Sequence, residues 1–262
     1  MNGTTGGNIN LSEETSSSYT AGVVLRPSFL PGFSATADYW NIKIKDAIAN
    51  VAAQDILNAC YDAPTLQNPF CALISRNRTS GSPTFLAVNG LNQSQVNFAR
   101  FEASGVDFDV AYTVELEDVG LADAGALNLG VTGTWLHRNR NFQSATNASA
   151  VDNELSENAI PRWAVNPTVS WEWNALTLSW YGFWQSSQTI TGVENETARN
   201  FVQARLPSTW VHDASASYAV TENVTVTGGV NNLTDKKPFF GELNRPANSL
   251  GRTFFLRGQV RF

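Results

Sequence analysis

Charge is scarce in this chain. Asp, Glu, Lys and Arg together make up 15% of its 262 residues, a thin supply for a domain wetted on every side, whose surface ordinarily carries many mixed charges. Long apolar runs are missing too. No stretch reaches the roughly 18 consecutive apolar residues that a membrane-spanning helix requires, so a helical membrane protein is excluded. Basic clusters are absent, and a formal charge of −6 with an isoelectric point near 4.9 argues against a nucleic-acid partner. Cysteine occurs only twice, as Cys60 and Cys71. With no His, Cys or acidic cluster beside them, they do not read as a zinc site. They read as a disulfide closing a loop, which suits an oxidising compartment, or as two unrelated reduced thiols.

Catalytic signatures are also lacking. There is no Gly-x-Ser-x-Gly elbow, no His-Glu-x-x-His and no Gly-x-x-x-x-Gly-Lys phosphate loop, so neither an enzyme nor a cofactor or metal site is expected. The two histidines, His137 and His212, are expected near the outer ends of two strands, as polar rim residues rather than metal or heme ligands. Asp107 and Asp109 share one face of a strand. A carboxylate pair can do acid–base work, but here the pair fits a hydrated interior facing Arg257 or Arg261. The N-terminus, Met1-Asn2-Gly3-Thr4-Thr5-Gly6-Gly7, has no charged start, apolar core or cleavage site. For an exported protein, a leader upstream of Met1 is the expectation.

What the chain does have is aromatic residues (8 Trp, 15 Phe, 6 Tyr) and strict alternation. Trp163, Val165, Val169, Trp171 and Trp173 alternate with Ala164, Asn166, Thr168, Ser170 and Glu172. Leu176, Leu178, Trp180 and Trp184 alternate with Thr177, Ser179, Tyr181 and Gln185. Phe254, Leu256, Val260 and Phe262 alternate with Thr253, Arg257, Gln259 and Arg261. Period two marks strands with one apolar and one polar face. Similar patterns at Tyr19–Leu25, Ser34–Lys45, Val106–Val114, Leu127–Trp135, Trp210–Tyr218 and Val224–Val230 bring the count to about nine strands of roughly nine to fourteen residues. Pro167 interrupts one of them, where a bulge is expected. Val51–Tyr61 reads as a short helix capped by Asn50. Because only alternate residues are apolar, the mean hydropathy stays at −0.19, as in a transmembrane barrel.

The connections sort by length. Pro27–Pro31, Glu115–Ala124, Asn174–Ala175 and Thr221–Asn223 are short or moderate. Between them lie Ala47–Gln95, Asn139–Ile160, Ser187–Pro207 and Thr234–Ser249, long and rich in Asn, Ser, Thr and Gly. Outer-membrane barrels place short periplasmic turns at one rim and long extracellular loops at the other, which puts Phe262 at the periplasmic rim. The fold class expected is therefore all-β, an antiparallel transmembrane β-barrel whose lipid face carries tryptophan girdles.

Several segments resemble TonB-dependent outer-membrane receptors. Val230-Asn231-Asn232-Leu233-Thr234-Asp235-Lys236-Lys237-Pro238 is similar to the Asn-Asn-Leu-Phe-Asp-Lys segment of that family's penultimate strand. Gly251-Arg252-Thr253-Phe254-Phe255 with Arg261-Phe262 resembles its last strand. Leu30-Pro31-Gly32-Phe33 with Asp38-Tyr39-Trp40-Asn41-Ile42, and Phe101-Glu102-Ala103-Ser104-Gly105-Val106-Asp107, resemble the hairpin before its large loop and the strand returning from it. The resemblance implies a plugged barrel of about 22 strands, of which residues 1–262 would be the C-terminal portion, without the plug domain and roughly thirteen N-terminal strands. Alone, such a piece is expected neither to transport nor to persist as a stable monomer, because both end strands expose unpaired backbone groups.

The implied function is uptake of a scarce nutrient (a siderophore, a cobalamin-like molecule or a carbohydrate) across the outer membrane. The implied partners are outer-membrane lipid, the TonB inner-membrane complex acting through the missing N-terminal region, and a small-molecule ligand at the extracellular loops. Residues Ala47–Gln95, stapled by Cys60 and Cys71, are the foremost candidate loop, though the sequence singles out no ligand-binding residue within it. A passive porin or autotransporter-type barrel, and a secreted carbohydrate-binding β-sandwich, are the competing readings. They separate on extraction: a barrel partitions into detergent micelles, and free solubility of the purified chain in buffer alone would rule the barrel out.

Overall fold

The computed structural model describes residues 2–145, 147, 149–157, 159–189, 205–238, 247 and 249–261. In chain order the described strands are β1 (Asn2–Thr4), β2 (Thr15–Leu25), β3 (Phe33–Ala49), β4 (Ile74–Arg76), β5 (Val88–Asn92), β6 (Val96–Glu115), β7 (Ala126–Phe142), β8 (Asp152–Asn153), β9 (Trp163–Trp173), β10 (Leu176–Gln185), β11 (Gln188–Thr189), β12 (Arg205–Leu206), β13 (Thr209–Thr221), β14 (Val224–Asn231) and β15 (Thr253–Val260). One helix, α1, spans Ala53–Tyr61. Nine of the strands follow one another in a single hydrogen-bonded order, β2-β3-β6-β7-β9-β10-β13-β14-β15. A sandwich would divide them between two sheets.

The chain clusters into two compact units. Unit 2 comprises Thr20–Trp40, Ser104–His137 and Leu155–Phe262, and its sheet is antiparallel wherever the register is described. Leu127, Trp171, Leu178, Ala216, Gly228 and Leu256 stand in one row across six strands. A row two residues along reads Leu129, Val169, Trp180, Ala214, Val230 and Phe254. Side chains alternate across a sheet, so this register gathers the apolar residues of β7 to β15 onto one face. The opposite face is mostly polar and cross-linked between strands. Asn128 accepts from Thr113 (2.8 Å) and donates to Glu172 (3.0 Å), and Ser217 pairs with Thr227 (2.8 Å). From β7 to β15, Leu136, Phe183, Val211 and Phe255 are the large apolar exceptions there.

The short connections are built by residues that tolerate a left-handed backbone. Asn174, at φ 50, turns β9 into β10, a conformation asparagine accepts more readily than most residues. Between β13 and β14, the Thr221 hydroxyl accepts from the amides of Asn223 and Val224, and a bulge sits at Ala219–Thr221. The turn from β6 to β7 ends on Gly125, whose φ is +77 and whose absent Cβ would lie 1.9 Å from the Glu172 carbonyl oxygen.

Pro167 produces no bulge. The β9–β10 register is the same on both sides of it, with Tyr181 opposite Thr168 and Trp184 opposite Val165. The missing amide falls opposite Gly182, and a side chain there would collide with the Pro167 ring at 2.9 Å. Pairing a glycine with the proline lets the strand run through. The strands also exceed the expected lengths, since β3, β6 and β7 reach 17, 20 and 17 residues. Their far ends, within Asn41–Ala103 and Arg138–Glu154, belong to unit 1. There the pairing continues after the simple alternation has ended, as where Arg140 of β7 opposes Asn153 of β8.

Unit 1 comprises Met1–Tyr19, Asn41–Ala103 and Arg138–Glu154 and contains most of the buried apolar side chains among the described residues. Its core joins Val51, Ile56, Ala59, Cys60, Phe70, Leu73, Leu91 and Val96. The N-terminal strand β1 pairs in parallel with β5, Asn2 opposite Gly90. Asn97 fastens the following segment, accepting from the Ser12 amide (2.9 Å) and donating to the Ser12 and Asp46 carbonyls.

The Gly125 geometry carries a direct test. Gly125→Ala should lower stability by about 2 kcal/mol or more, through positive-φ strain plus a backbone collision. Gly120→Ala, at φ +87 but with nothing within 4 Å, should cost only the strain, about 1 kcal/mol. Urea midpoints of the two variants in detergent should differ accordingly; equal midpoints would refute the collision.

Candidate functional site

The long connection after β3 folds as a module of unit 1. Helix α1 presents Ile56, Ala59 and Cys60 to the core, the i, i+3, i+4 spacing of a single helical face. It begins at Ala53 with Ala52 as its N-cap and no side-chain cap, so Asn50 does not cap it. Val51, only 6% exposed, is drawn into the core as extended chain, which delays the first turn. Asn68 shapes the return: its Oδ1 accepts from the amides of Phe70 (2.9 Å) and Cys71 (3.0 Å). The Cys60 and Cys71 sulfurs are bonded, and the Phe70 ring packs edge-on against Phe98 at 5.5 Å.

A cleft of about 790 Å³ opens beside this disulfide, bordered by Tyr61, Leu66, Gln67, Arg76 and Arg78. The Arg76 guanidinium lies 5.4 Å from the Tyr61 ring centroid, donates to the Tyr61 hydroxyl, and donates to the Leu86 carbonyl at 2.9 Å. Its partners are neutral oxygens and a ring, so its positive charge is held in place without being cancelled. Arg78 is exposed. Two guanidiniums and a phenol at one opening suit an anionic, oxygen-rich ligand, since guanidinium grips carboxylate-like groups through a fixed fork of donors.

The other residues singled out from sequence fall elsewhere. His212 is stacked between Trp180 (5.7 Å) and Trp210 (5.6 Å), and His137 lies 5.5 Å from Trp135. Both histidines therefore belong to ring clusters at the long-connection ends of their strands. Asp107 accepts from the Thr134 hydroxyl at 2.6 Å. It is not on a strand adjacent to Arg257 and Arg261, because β7, β9, β10, β13 and β14 stand between β6 and β15 in the sheet. Tryptophans gather at two levels of the apolar face. Trp135 with Trp163, and Trp184 with Trp210, mark one level, and the stacked Trp171–Trp173 pair marks the other. The indole N–H groups of that pair donate to the Ala124 and Asp123 carbonyls. Phe262 and most of the connection 187–207 lie outside the described residues.

Sequence reasoning missed Glu102, which lies 3.7 Å from Arg100 and 3.4 Å from Arg138 while Arg100 rests on the Phe142 ring at 3.7 Å. The alternating charges Arg100-Phe101-Glu102 and Arg138-Asn139-Arg140 were the available signal. The motif beginning at Asn231 proves to be a turn. Asn232, at φ 54, receives the Lys236 amide on its Oδ1 (2.7 Å) and gives its own amide to Asp213 (2.6 Å). Asp235 then takes the Lys237 ammonium (2.8 Å) and the Arg252 amide (2.9 Å). These bonds, Lys237 first, hold its carboxyl below the ordinary aspartate range.

Comparison with known proteins agrees with this architecture. The profile of the family described as TonB dependent receptor-like, beta-barrel matches residues 1–233. The ferrienterobactin receptor of Escherichia coli is 30% identical over 125 residues, covering 43% of this chain and 15% of that protein. The ferric enterobactin receptor of Pseudomonas aeruginosa, solved with enterobactin, superposes over 98% of this chain at a TM-score of 0.59 and 17% identity. The FrpB iron transporter of Neisseria meningitidis does so over 99% at 0.61 and 15%. This chain spans about a third of the length of those two structures (33% in each case). The TonB-dependent receptors homologous to it are outer-membrane β-barrel proteins, receptors and transporters rather than enzymes. With a one-sided apolar sheet, alternating short and long connections and a family match over most of its length, the chain belongs to the TonB-dependent receptor β-barrel family.

Proposed function

We propose that residues 1–262 form the C-terminal portion of the barrel of a TonB-energised receptor that takes up a ferric siderophore. The plug and the remaining strands would be supplied from outside these residues. In this reading the apolar face of unit 2 meets lipid, and the hydrogen-bonded polar face lines a hydrated interior. The spacing of the two tryptophan levels supports it. From Trp163 to Trp173 is ten residues, or about 33 Å along a strand. A tilt of about 35–45° reduces that to roughly 23–27 Å, the height of the apolar band of an outer-membrane barrel. Large side chains on that face remain exposed, among them Trp210, Tyr218, Phe254 and Leu256, which water would penalise and acyl chains would cover.

The observation that carries the ligand class is the cleft at Tyr61, Arg76 and Arg78. A ferric siderophore of the catecholate kind is a chelate whose three dianionic oxygen-donor pairs outweigh the Fe(III) charge and leave it negative. It suits two arginines better than a neutral sugar would. The receptors named above point the same way, since two of them are named for ferric enterobactin. Binding at this module would hand the ligand to the plug, whose rearrangement under TonB would admit it without covalent chemistry.

Ferric enterobactin titrated against the detergent-solubilised chain should quench tryptophan fluorescence saturably, whereas cobalamin and maltodextrin should not compete. Arg78→Ala should raise Kd about tenfold or more, the loss expected of one charge-assisted hydrogen bond. Arg76→Ala should do the same and also loosen the module, because it gives up its bond to Leu86. Unchanged affinity in Arg78→Ala would remove the cleft from the ligand path.

A further inference from the structure

On the apolar face of unit 2, between β10 and β15, lies an open groove of about 690 Å³ with almost purely apolar walls. Ala214, Ala216 and Gly228 make its floor, with Leu178 on one side and Val230 and Phe254 on the other. Phe254 and Leu256 are 75% and 80% exposed, so the far wall stands clear of the sheet as a ridge. The groove crosses the strands from Leu178 on β10 to Phe254 on β15, within two neighbouring rows, and its upper row holds Ala214, Val230 and Phe254.

Immediately past that row the chemistry changes. Arg252 lies two residues beyond Phe254, about 7 Å further along the strand direction. Its neighbours across the sheet mark the same height: Thr253 opposes Asn231, and the Leu233 amide donates to the His212 carbonyl. The ring stack of Trp180, His212 and Trp210 therefore sits level with Arg252. Asp235 binds the Lys237 ammonium and the Arg252 backbone amide; the Lys237 nitrogen lies 3.2 Å from where a Gly251 Cβ would stand, and the Arg252 guanidinium donates to the Leu233 carbonyl at 3.3 Å. Lys237 keeps a side-chain exposure of 70%. Among the described residues, Lys237 and Arg252 stand beside the single carboxylate of Asp235 here, two positive charges to one negative. Asp213 has the parity of the polar face and is engaged by the Asn232 amide.

We propose that this groove and the cations beside its upper row bind one phospholipid of net negative headgroup, with an acyl chain across Leu178, Ala216 and Gly228 and the phosphate against Arg252 and Lys237. The assignment rests on the reading that this face meets lipid. It adds a selective site to what would otherwise be an indifferent surface. The occupant follows from complementarity: an acyl chain matches an open apolar groove that crosses four strands, and an anionic headgroup matches two adjacent cations at the belt level, where Lys and Arg attract anionic lipids. A second copy of the chain fits less well, because a two-fold contact through this groove would set the two cation clusters side by side.

The test uses the full chain in detergent, titrated with dioleoyl phosphatidic acid or dioleoyl phosphatidylcholine and read by native mass spectrometry. One phosphatidic acid should be retained in preference to phosphatidylcholine. The double variant Arg252→Gln/Lys237→Gln should weaken phosphatidic acid retention about thirtyfold, roughly fivefold for each charge near the surface, and leave phosphatidylcholine unaffected. Ala216→Phe, which fills the furrow, should weaken phosphatidic acid with the cations intact. Three outcomes would overturn the site: equal retention of the two lipids, displacement of phosphatidic acid by millimolar inorganic phosphate, or a lipid-free dimer that Ala216→Phe dissociates. Brominated phosphatidylcholine vesicles separate the two readings. If they quench the tryptophans while no phosphatidic acid selectivity is seen, the lipid-facing sheet stands and this site falls; absence of quenching removes both.

Discussion

Hydrogen bonding between neighbouring strand backbones is the interaction on which the rest of unit 2 depends. Each residue carries one donor and one acceptor that must be satisfied wherever water is excluded, and the antiparallel ladder satisfies them without spending side chains. The side chains are then free to separate, odd positions to one face and even to the other. A shift of one residue between β14 and β15 would turn Arg257 onto the apolar face and Phe254 and Leu256 onto the polar one. The constant register from β7 to β15 prevents that. Even Pro167, which gives up a donor, is accommodated without a shift because its neighbour across the ladder is Gly182.

Unit 1 is stabilised by different means. Its residues bury a small apolar core around Ile56 and Phe70, and its polar links are local: Asn68 to Phe70 and Cys71, Asn97 to Ser12 and Asp46. A core of this size is a modest source of stability, and a cross-link that closes a short loop adds to it by restricting the unfolded chain, by about 3 kcal/mol in the entropic model. The two units thus divide the work. One presents a broad surface of fixed alternation. The other holds Tyr61, Arg76 and Arg78 at the edge of a cleft.

The exposed apolar face is a costly arrangement in water, and it has a physical explanation in the outer-membrane family to which the chain belongs. Aromatic rings at two levels suit a surface that leaves hydrocarbon and enters the interface twice. Histidines in those ring clusters, rather than in a metal site, fit the same picture, since an imidazole resembles an indole in offering a flat face with a polar edge.

The nine long strands, their two faces, the alternation of short and long connections and the family were all legible in the sequence, because period two and turn composition are local properties of the chain. The starts of β9 and β10 were legible to the residue, since Trp163 and Leu176 open unbroken alternation. The extra length of β3, β6 and β7 was not, because beyond Ala103 and His137 pairing is decided by distant loop segments such as β8 and not by local pattern. The helix start moved for the same reason, as burial of Val51 outweighed the capping preference of Asn50. The Arg76–Tyr61 contact, the Glu102 cluster and the meeting of Lys237 with Arg252 at Asp235 join residues far apart in the chain, and such contacts are set only when the backbone between them has been folded.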